Sequence, residues 1–194
     1  MNAISLPILI PLALIIVLLF IDSQKLGAWI GIAGSLLLLS VAVYLFSEVQ
    51  KQEVLVLQVG GWEAPFGISL IMDYLSAIML LVSSFIVVAI AIYSYSFIRA
   101  VNYGSKFYIF FFSLAMGVNG AFVTGDVFNL YVWFEVMLLS SFVLISMGNT
   151  KAQLEGGIKY LALNLIGSML FLAGLGLLYG KTGTLNMAHL AQIL

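Results

Sequence analysis

The chain has 194 residues, of which 63% are hydrophobic and 8% are charged. A soluble domain carries roughly a quarter charged residues and about half apolar ones, so a soluble globular fold is excluded. Seven Lys and Arg against eight Asp and Glu leave a net charge of −1, which rules out the basic surface of a nucleic-acid binder; the absence of cysteine rules out disulfides, thiolate metal sites and thiol chemistry.

A helix needs about 20 mainly apolar residues to cross the hydrocarbon. Six stretches meet that need: 4–21, 26–47, 70–95, 107–124, 127–147 and 158–179. Runs such as Leu75–Ile92 are solidly apolar and lack the alternation of a membrane β-barrel strand. The sequence therefore predicts an all-α integral membrane protein with about six transmembrane helices, one polytopic unit over residues 1–194 with no linker dividing it.

Pro7 and Pro11 fall in the opening turns of the first run, where a missing N–H costs little. No basic residue precedes that run and no A-x-A site follows it, so a cleaved signal peptide is not expected. Gly27-x-x-x-Gly31 permits close packing of the second helix. The longest connection, Ser47 to Ser69, carries a short strand at Val54–Val59 and a turn at Gly60-Gly61, which predicts a small external hairpin. Asp73 and Asp126 lie at the starts of the third and fifth helices, where a carboxylate caps free N–H groups and meets the positive end of the dipole. Asp126 also fits the mouth of an ion path. The Phe107–Phe112 cluster and Trp133 are expected at lipid or subunit contacts, and the glycines at 117, 120, 167, 174 and 176 at close helix contacts. After the sixth run, Lys181-Thr-Gly-Thr reads as a turn, and Asn186 caps the start of an amphipathic helix over 186–194.

Orientation follows from Lys and Arg in the short loops. With the N-terminus outside, Lys25, Arg99, Lys106, Lys151 and Lys159 are cytoplasmic and only Lys51 and Lys181 are external.

Glu135 stands apart from the other charges. It follows Asp126 by nine residues, hence lies roughly 14 Å deep at 1.5 Å per residue, near the bilayer midplane. An acid there costs about 2–3 kcal/mol or more on insertion scales, so such residues mark ion paths or proton relays. Of its helical neighbours, Tyr131 offers a hydroxyl; the rest are apolar. Two roles fit Lys159: an anchor at the cytoplasmic interface paired with Glu155 four residues earlier, or the inner end of a proton path to Glu135. Asn119, Asn129, Ser140, Ser141, Asn164 and Ser168 fit either interhelical hydrogen bonds or the lining of a hydrated crevice. No phosphate loop, haem ligand pair, metal cluster or hydrolytic triad is present, so no cofactor and no enzyme chemistry is expected.

Three segments carry a resemblance: Gly60-Gly-Trp-Glu-Ala-Pro-Phe-Gly-Ile-Ser-Leu-Ile-Met-Asp-Tyr-Leu-Ser-Ala, Thr124-Gly-Asp-Val-Phe-Asn-Leu-Tyr-Val-Trp-Phe-Glu-Val-Met-Leu-Leu-Ser-Ser, and Glu155-Gly-Gly-Ile-Lys-Tyr-Leu-Ala-Leu-Asn. Together they resemble the D-type subunits of the multisubunit Mrp-type Na+/H+ antiporters, which share a wider family with the antiporter-like proton-pumping subunits of respiratory complex I. The resemblance implies that Glu135 matches the fifth-helix glutamate of proton transfer, which the family pairs with a lysine on a broken seventh helix. It also implies that these residues are the N-terminal portion of a fold with about fourteen helices and inverted repeats. The expected function is a subunit of a cation/proton antiporter in a prokaryotic cell membrane, moving H+ through Glu135 to drive Na+ efflux. Its expected partners are the other subunits of the complex and the lipid bilayer. Two further readings stand beside it. One is a proton-translocating subunit of a respiratory NADH–quinone oxidoreductase; the other is a structural membrane subunit with no ion path of its own.

Overall fold

The computed structural model describes residues 3–101 and 105–194, with the backbone alone for 97–101, so the Arg99 side chain used in the charge count lies outside the described residues. In chain order the elements are α1 (Leu6–Leu19), α2 (Gln24–Gln52), β1 (Leu55–Gln58), β2 (Ser69–Met72), α3 (Tyr74–Val101), α4 (Lys106–Val123), α5 (Val127–Ser146), α6 (Lys151–Thr182) and α7 (Met187–Ile193). Among the described residues five helices, α2 to α6, are long and apolar enough to cross a membrane.

The first expected span, 4–21, is shorter than that. With the 3-10 turn before it, α1 runs from Ala3 to Leu19. It ends where the N–H groups of Phe20 and Ile21 turn back to the carbonyls of Val17 and Leu18, and Ser23 caps α2. Pro11 sits inside α1 rather than in its opening turn. It cannot supply the N–H that the Pro7 carbonyl would receive four residues on. The buried Asn119 amide of α4 donates to that carbonyl at 3.1 Å and accepts from Ser83 Oγ of α3 at 3.2 Å. One side chain thus replaces the missing helix bond and ties three helices together.

Residues 70–72, expected in the third helix, form a strand instead. Leu55, Val56, Leu57 and Gln58 pair antiparallel with Met72, Ile71, Leu70 and Ser69, so the hairpin's own ladder satisfies these backbone groups. The turn after β1 places Gly60 and Gly61 at φ 69° and 75°, a region that L side chains seldom occupy. Asp73 then starts α3 by accepting from the Ser76 N–H at 2.8 Å. That backbone hydrogen bond holds its carboxyl below the ordinary carboxylate value. The sixth helix begins at Lys151 rather than near 158, because Thr150 and Gln153 form a capping box just after Asn149.

The helix α4 packs against α1, α3 and α5, while α2 packs against α1 and α3, and α6 against α5. Two buried clusters hold the bundle. One lies under the hairpin around Leu45, Met72, Leu80 and Val123; the other lies toward the opposite end around Leu18, Leu38, Tyr108 and Phe112. The aromatic cluster expected at lipid or subunit contacts is therefore partly interior: Tyr108, Phe111 and Phe112 are buried. Tyr108 fits because Gly31 of α2 has no side chain; a Cβ there would come within 2.5 Å of the ring. Trp133 likewise lies over Gly120 of α4, where a Cβ would meet the indole at 2.3 Å. On α6 a Cβ at Gly167, Gly174 or Gly176 would meet nothing within 4 Å among the described residues.

At the hairpin end the loops lock together. The Gly125 N–H donates to the Ser69 carbonyl at 2.8 Å, the Met187 N–H to the Gly125 carbonyl at 2.9 Å, and the Val127 N–H to the Leu185 carbonyl at 2.9 Å. The lock fixes the entry of α5 and the exit of α6 relative to one another, and so sets the depth of every residue on their shared seam.

Candidate functional site

The seam between α5 and α6 carries a set of half-buried polar side chains. Glu135 lies near the middle of α5, and Ser168 lies near the middle of α6. The Ser168 hydroxyl donates to Glu135 Oε1. One turn earlier on α5, the Tyr131 phenol also interacts with the Glu135 carboxylate. Both partners are neutral. Among the described residues the ion pairs are Lys51–Glu48 and Lys159–Glu155, and Glu135 belongs to neither.

A cleft of about 420 Å³ opens beside this contact. Its walls include Tyr131 and Phe134 from α5, and Tyr160, Asn164, Ser168 and Phe171 from α6. The Asn164 amide donates to the Tyr160 carbonyl at 2.9 Å, and the Ser141 and Tyr160 hydroxyls lie 3.2 Å apart. Of the residues expected from sequence, the structure brings Glu135, Tyr131 and Asn164 to one seam.

Asp126 and Asn129 stand elsewhere, at the start of α5. Asp126 is only 8% exposed, and its carboxylate accepts from the Asn129 N–H at 2.9 Å. The Asn129 amide donates to Thr124 Oγ1 at 2.8 Å. This is the N-cap that the sequence suggested, reinforced by a backbone bridge between Asp126 and Asn186. Lys159 pairs with Glu155 at 2.6 Å with its side chain 71% exposed, which is the anchor geometry; it does not line the cleft.

Sequence reasoning placed Ser168 among several weak polar residues and passed over Tyr160. The signal was present: Tyr160, Asn164 and Ser168 recur every four residues, which stacks them on one face of a helix. Nothing in one sequence says which helix that face meets. Among the described residues no group of His, Cys, Asp and Glu is arranged to hold a metal ion.

Comparison with known proteins follows the same lines. Residues 124–194 match the family described as NADH:quinone oxidoreductase/Mrp antiporter, TM. The D-type subunit of the Na+/H+ antiporter of Alkalihalophilus pseudofirmus is 41% identical over 98% of this chain and 39% of its own length. Among solved structures, a chain of the membrane-bound sulfane sulfur reductase, an archaeal respiratory membrane complex, is 31% identical with a TM-score of 0.88, over 99% of this chain and 40% of that one. A chain of the Mrp complex from Dietzia sp. is 30% identical with a TM-score of 0.85, over 98% of this chain and 37% of that one. The chain spans about two fifths of the length of these relatives. The resemblance carried by the three sequence segments is borne out, and with it the helical membrane fold.

Proposed function

We propose, since residues 124–194 belong to the transmembrane domain family that NADH:quinone oxidoreductases and Mrp antiporters share, that the chain is part of a subunit of a multisubunit cation/proton antiporter. Protons pass through Glu135 to drive Na+ efflux across a prokaryotic cell membrane, and the partners are the other subunits of that antiporter. The N-terminus lies outside, as the five-to-two distribution of Lys and Arg favours. The observation that carries the proposal is the environment of Glu135: a carboxyl group at mid-helix whose partners, among the described residues, are neutral hydroxyls.

A carboxyl group in that setting has work that a structural residue does not need. As an anion it accepts from Ser168 and Tyr131; as an acid it still accepts through its carbonyl oxygen and gains a hydroxyl donor. Both states are therefore bound by the same partners, and a proton can come and go without dismantling the seam. An approaching cation on a neighbouring element favours the anion, and its retreat favours the acid. Lys159, tied to Glu155, serves as a cytoplasmic end group for protons reaching this site. Asp126 remains a cap.

The test is ion exchange in membrane vesicles. Glu135→Gln abolishes Na+-dependent proton movement while protein abundance stays near normal, and Asp126→Asn, which preserves a capping side chain, retains most of it. Active Glu135→Gln with inactive Asp126→Asn overturns the proposal. The similarity to the archaeal respiratory complex favours a second reading, in which redox chemistry drives proton translocation through this chain. Exchange of Na+ for H+ by the purified complex without redox substrates decides for the first.

A further inference from the structure

We infer that α4 aims Glu135 from behind: Gly117 and Gly120 are positioning residues that fix the rotation and depth of α5, and through it the Glu135–Ser168 contact. The inference rests on Glu135 being the proton site and names what holds it in place. Ser113, Gly117 and Gly120 follow one another by four and three residues, hence share one face of α4. They meet Ser140, Met137 and Trp133 of α5 in antiparallel order. The Ser113 and Ser140 hydroxyls lie 2.8 Å apart. A Cβ at Gly117 would stand 2.6 Å from Met137 Cγ, and 3.2 Å from both the Met137 nitrogen and the Trp133 carbonyl oxygen. A Cβ at Gly120 would stand 2.3, 2.4 and 2.8 Å from three carbons of the Trp133 indole.

These contacts bracket Glu135. Trp133 and Met137 each stand two residues from it, and at about 100° per residue two residues carry a side chain to the far face of a helix. The α4 glycines therefore press on the back of α5 while the carboxyl emerges on the front, toward α6 and Ser168. The Trp133 carbonyl and the Met137 nitrogen are four residues apart, the two ends of one helix hydrogen bond, and that bond spans Glu135. Gly117 thus lies against the backbone turn that carries the acid.

The seat works by shape. Trp133 Nε1 is buried and meets no acceptor among the described residues, a costly arrangement, so packing over Gly120 rather than a hydrogen bond sets where the indole lies. The opposite side of α5 is slack by comparison. A Cβ at Gly167, beside Ser168, would meet nothing within 4 Å among the described residues. The tight face decides where α5 stands, and the Glu135 carboxyl takes its depth and direction from it. A misplacement of about 1 Å costs on the order of a hundredfold in rate, so a seat that touches neither the carboxyl nor its hydroxyl partners governs exchange.

The test uses Gly120→Ala and Gly117→Ala in membranes carrying the protein as the cell assembles it. To reach an ordinary carbon–carbon separation of about 3.5 Å from the new methyl of Gly120→Ala, the indole must retreat by about 1 Å. Two readouts are taken: ion exchange, and the infrared band of the protonated Glu135 carboxyl, identified by its loss in Glu135→Gln. Exchange is expected to fall roughly tenfold to a hundredfold in Gly120→Ala with protein abundance near normal. The band is expected to move to higher wavenumber, as it does when Ser168→Ala removes the donor. Because the glycine acts through that contact, Gly120→Ala added to Ser168→Ala moves the band no further. Trp133→Ala clears the ring, and Gly120→Ala in that background changes neither readout further. A band that stays put in both glycine variants, or shifts that add to that of Ser168→Ala, overturns the inference. Where Gly120→Ala fails to accumulate, Gly117→Ala decides, since its 3.2 Å backbone contacts ask for a displacement of only a few tenths of an ångström. The band reports on the carboxyl whether or not ions move. Exchange-competent Glu135→Gln would therefore sink the proton-site reading and leave the band to judge the positioning by itself.

Discussion

The Ser168 hydroxyl of α6 donates to the Glu135 carboxylate of α5, so the mid-helix acid is held across a helix–helix seam and not by its own helix alone. A hydrogen bond to a charged group is worth about 1.5–3 kcal/mol, more than a factor of ten in rate. Ser168→Ala therefore lowers Na+/H+ exchange roughly tenfold or more, and Ser168→Thr, which keeps the hydroxyl, restores most of it. The protonated Glu135 carbonyl loses its donor in Ser168→Ala, so its infrared band moves to higher wavenumber. A band and an exchange rate unchanged by Ser168→Ala would show that the contact has no functional weight.

The Asn119–Pro7 bond makes a stability prediction independent of transport. Asn119→Leu leaves the Pro7 carbonyl buried without a donor and costs about 1–3 kcal/mol, read as a fall in the thermal midpoint of the purified protein. In Pro11→Ala the helix supplies its own N–H to that carbonyl. Asn119→Leu in that background should cost markedly less, a coupling that a double-mutant cycle measures. Additive effects of the two substitutions contradict the explanation.

Asp73 caps α3 at the hairpin. Asp73→Ala removes the acceptor for the Ser76 N–H and costs about 1 kcal/mol, and Asp73→Asn costs less because Asn also caps. The folded carboxyl is held below its ordinary value near 3.8. Its ionised contribution is thus fully present above that value and is lost as pH falls through the lower folded one. The gap in thermal midpoint between wild type and Asp73→Asn should close across that acid window. A gap that widens there would reverse the assignment.

Topology can be tested on the chain's cysteine-free background. Gln52→Cys, at the hairpin end of α2, and Lys151→Cys, at the start of α6, should label from opposite sides, with Gln52→Cys external. Labelling of both from one side would sink the orientation.

The sequence made the helices legible because their apolar runs are long, and it made Glu135 legible because a lone acid in such a run is expensive. It misjudged places where a neighbour decides. Residues 70–72 read as helix because Leu70, Ile71 and Met72 continue the apolar run, but β1 offers them a ladder. Pro11 read as harmless at a helix start; inside α1 it is tolerated because Asn119 reaches over from α4. Tyr108 and Phe112 read as lipid or subunit contacts because aromatic clusters suit those roles, while Gly31 and its surroundings made room for them inside. The partners of Glu135 were hidden for the same reason: Ser168 is far along the chain, and only the packing of α6 on α5 brings it there.

The central claim is that Glu135 gains and loses a proton during exchange. Infrared difference spectroscopy of the membrane-embedded protein, triggered by adding Na+, reads this directly. The account predicts a change in the protonated-carboxyl region that is present in wild type and Asp126→Asn and absent in Glu135→Gln. An identical difference band in wild type and Glu135→Gln, or no carboxyl band in a wild-type sample that exchanges ions, would contradict it.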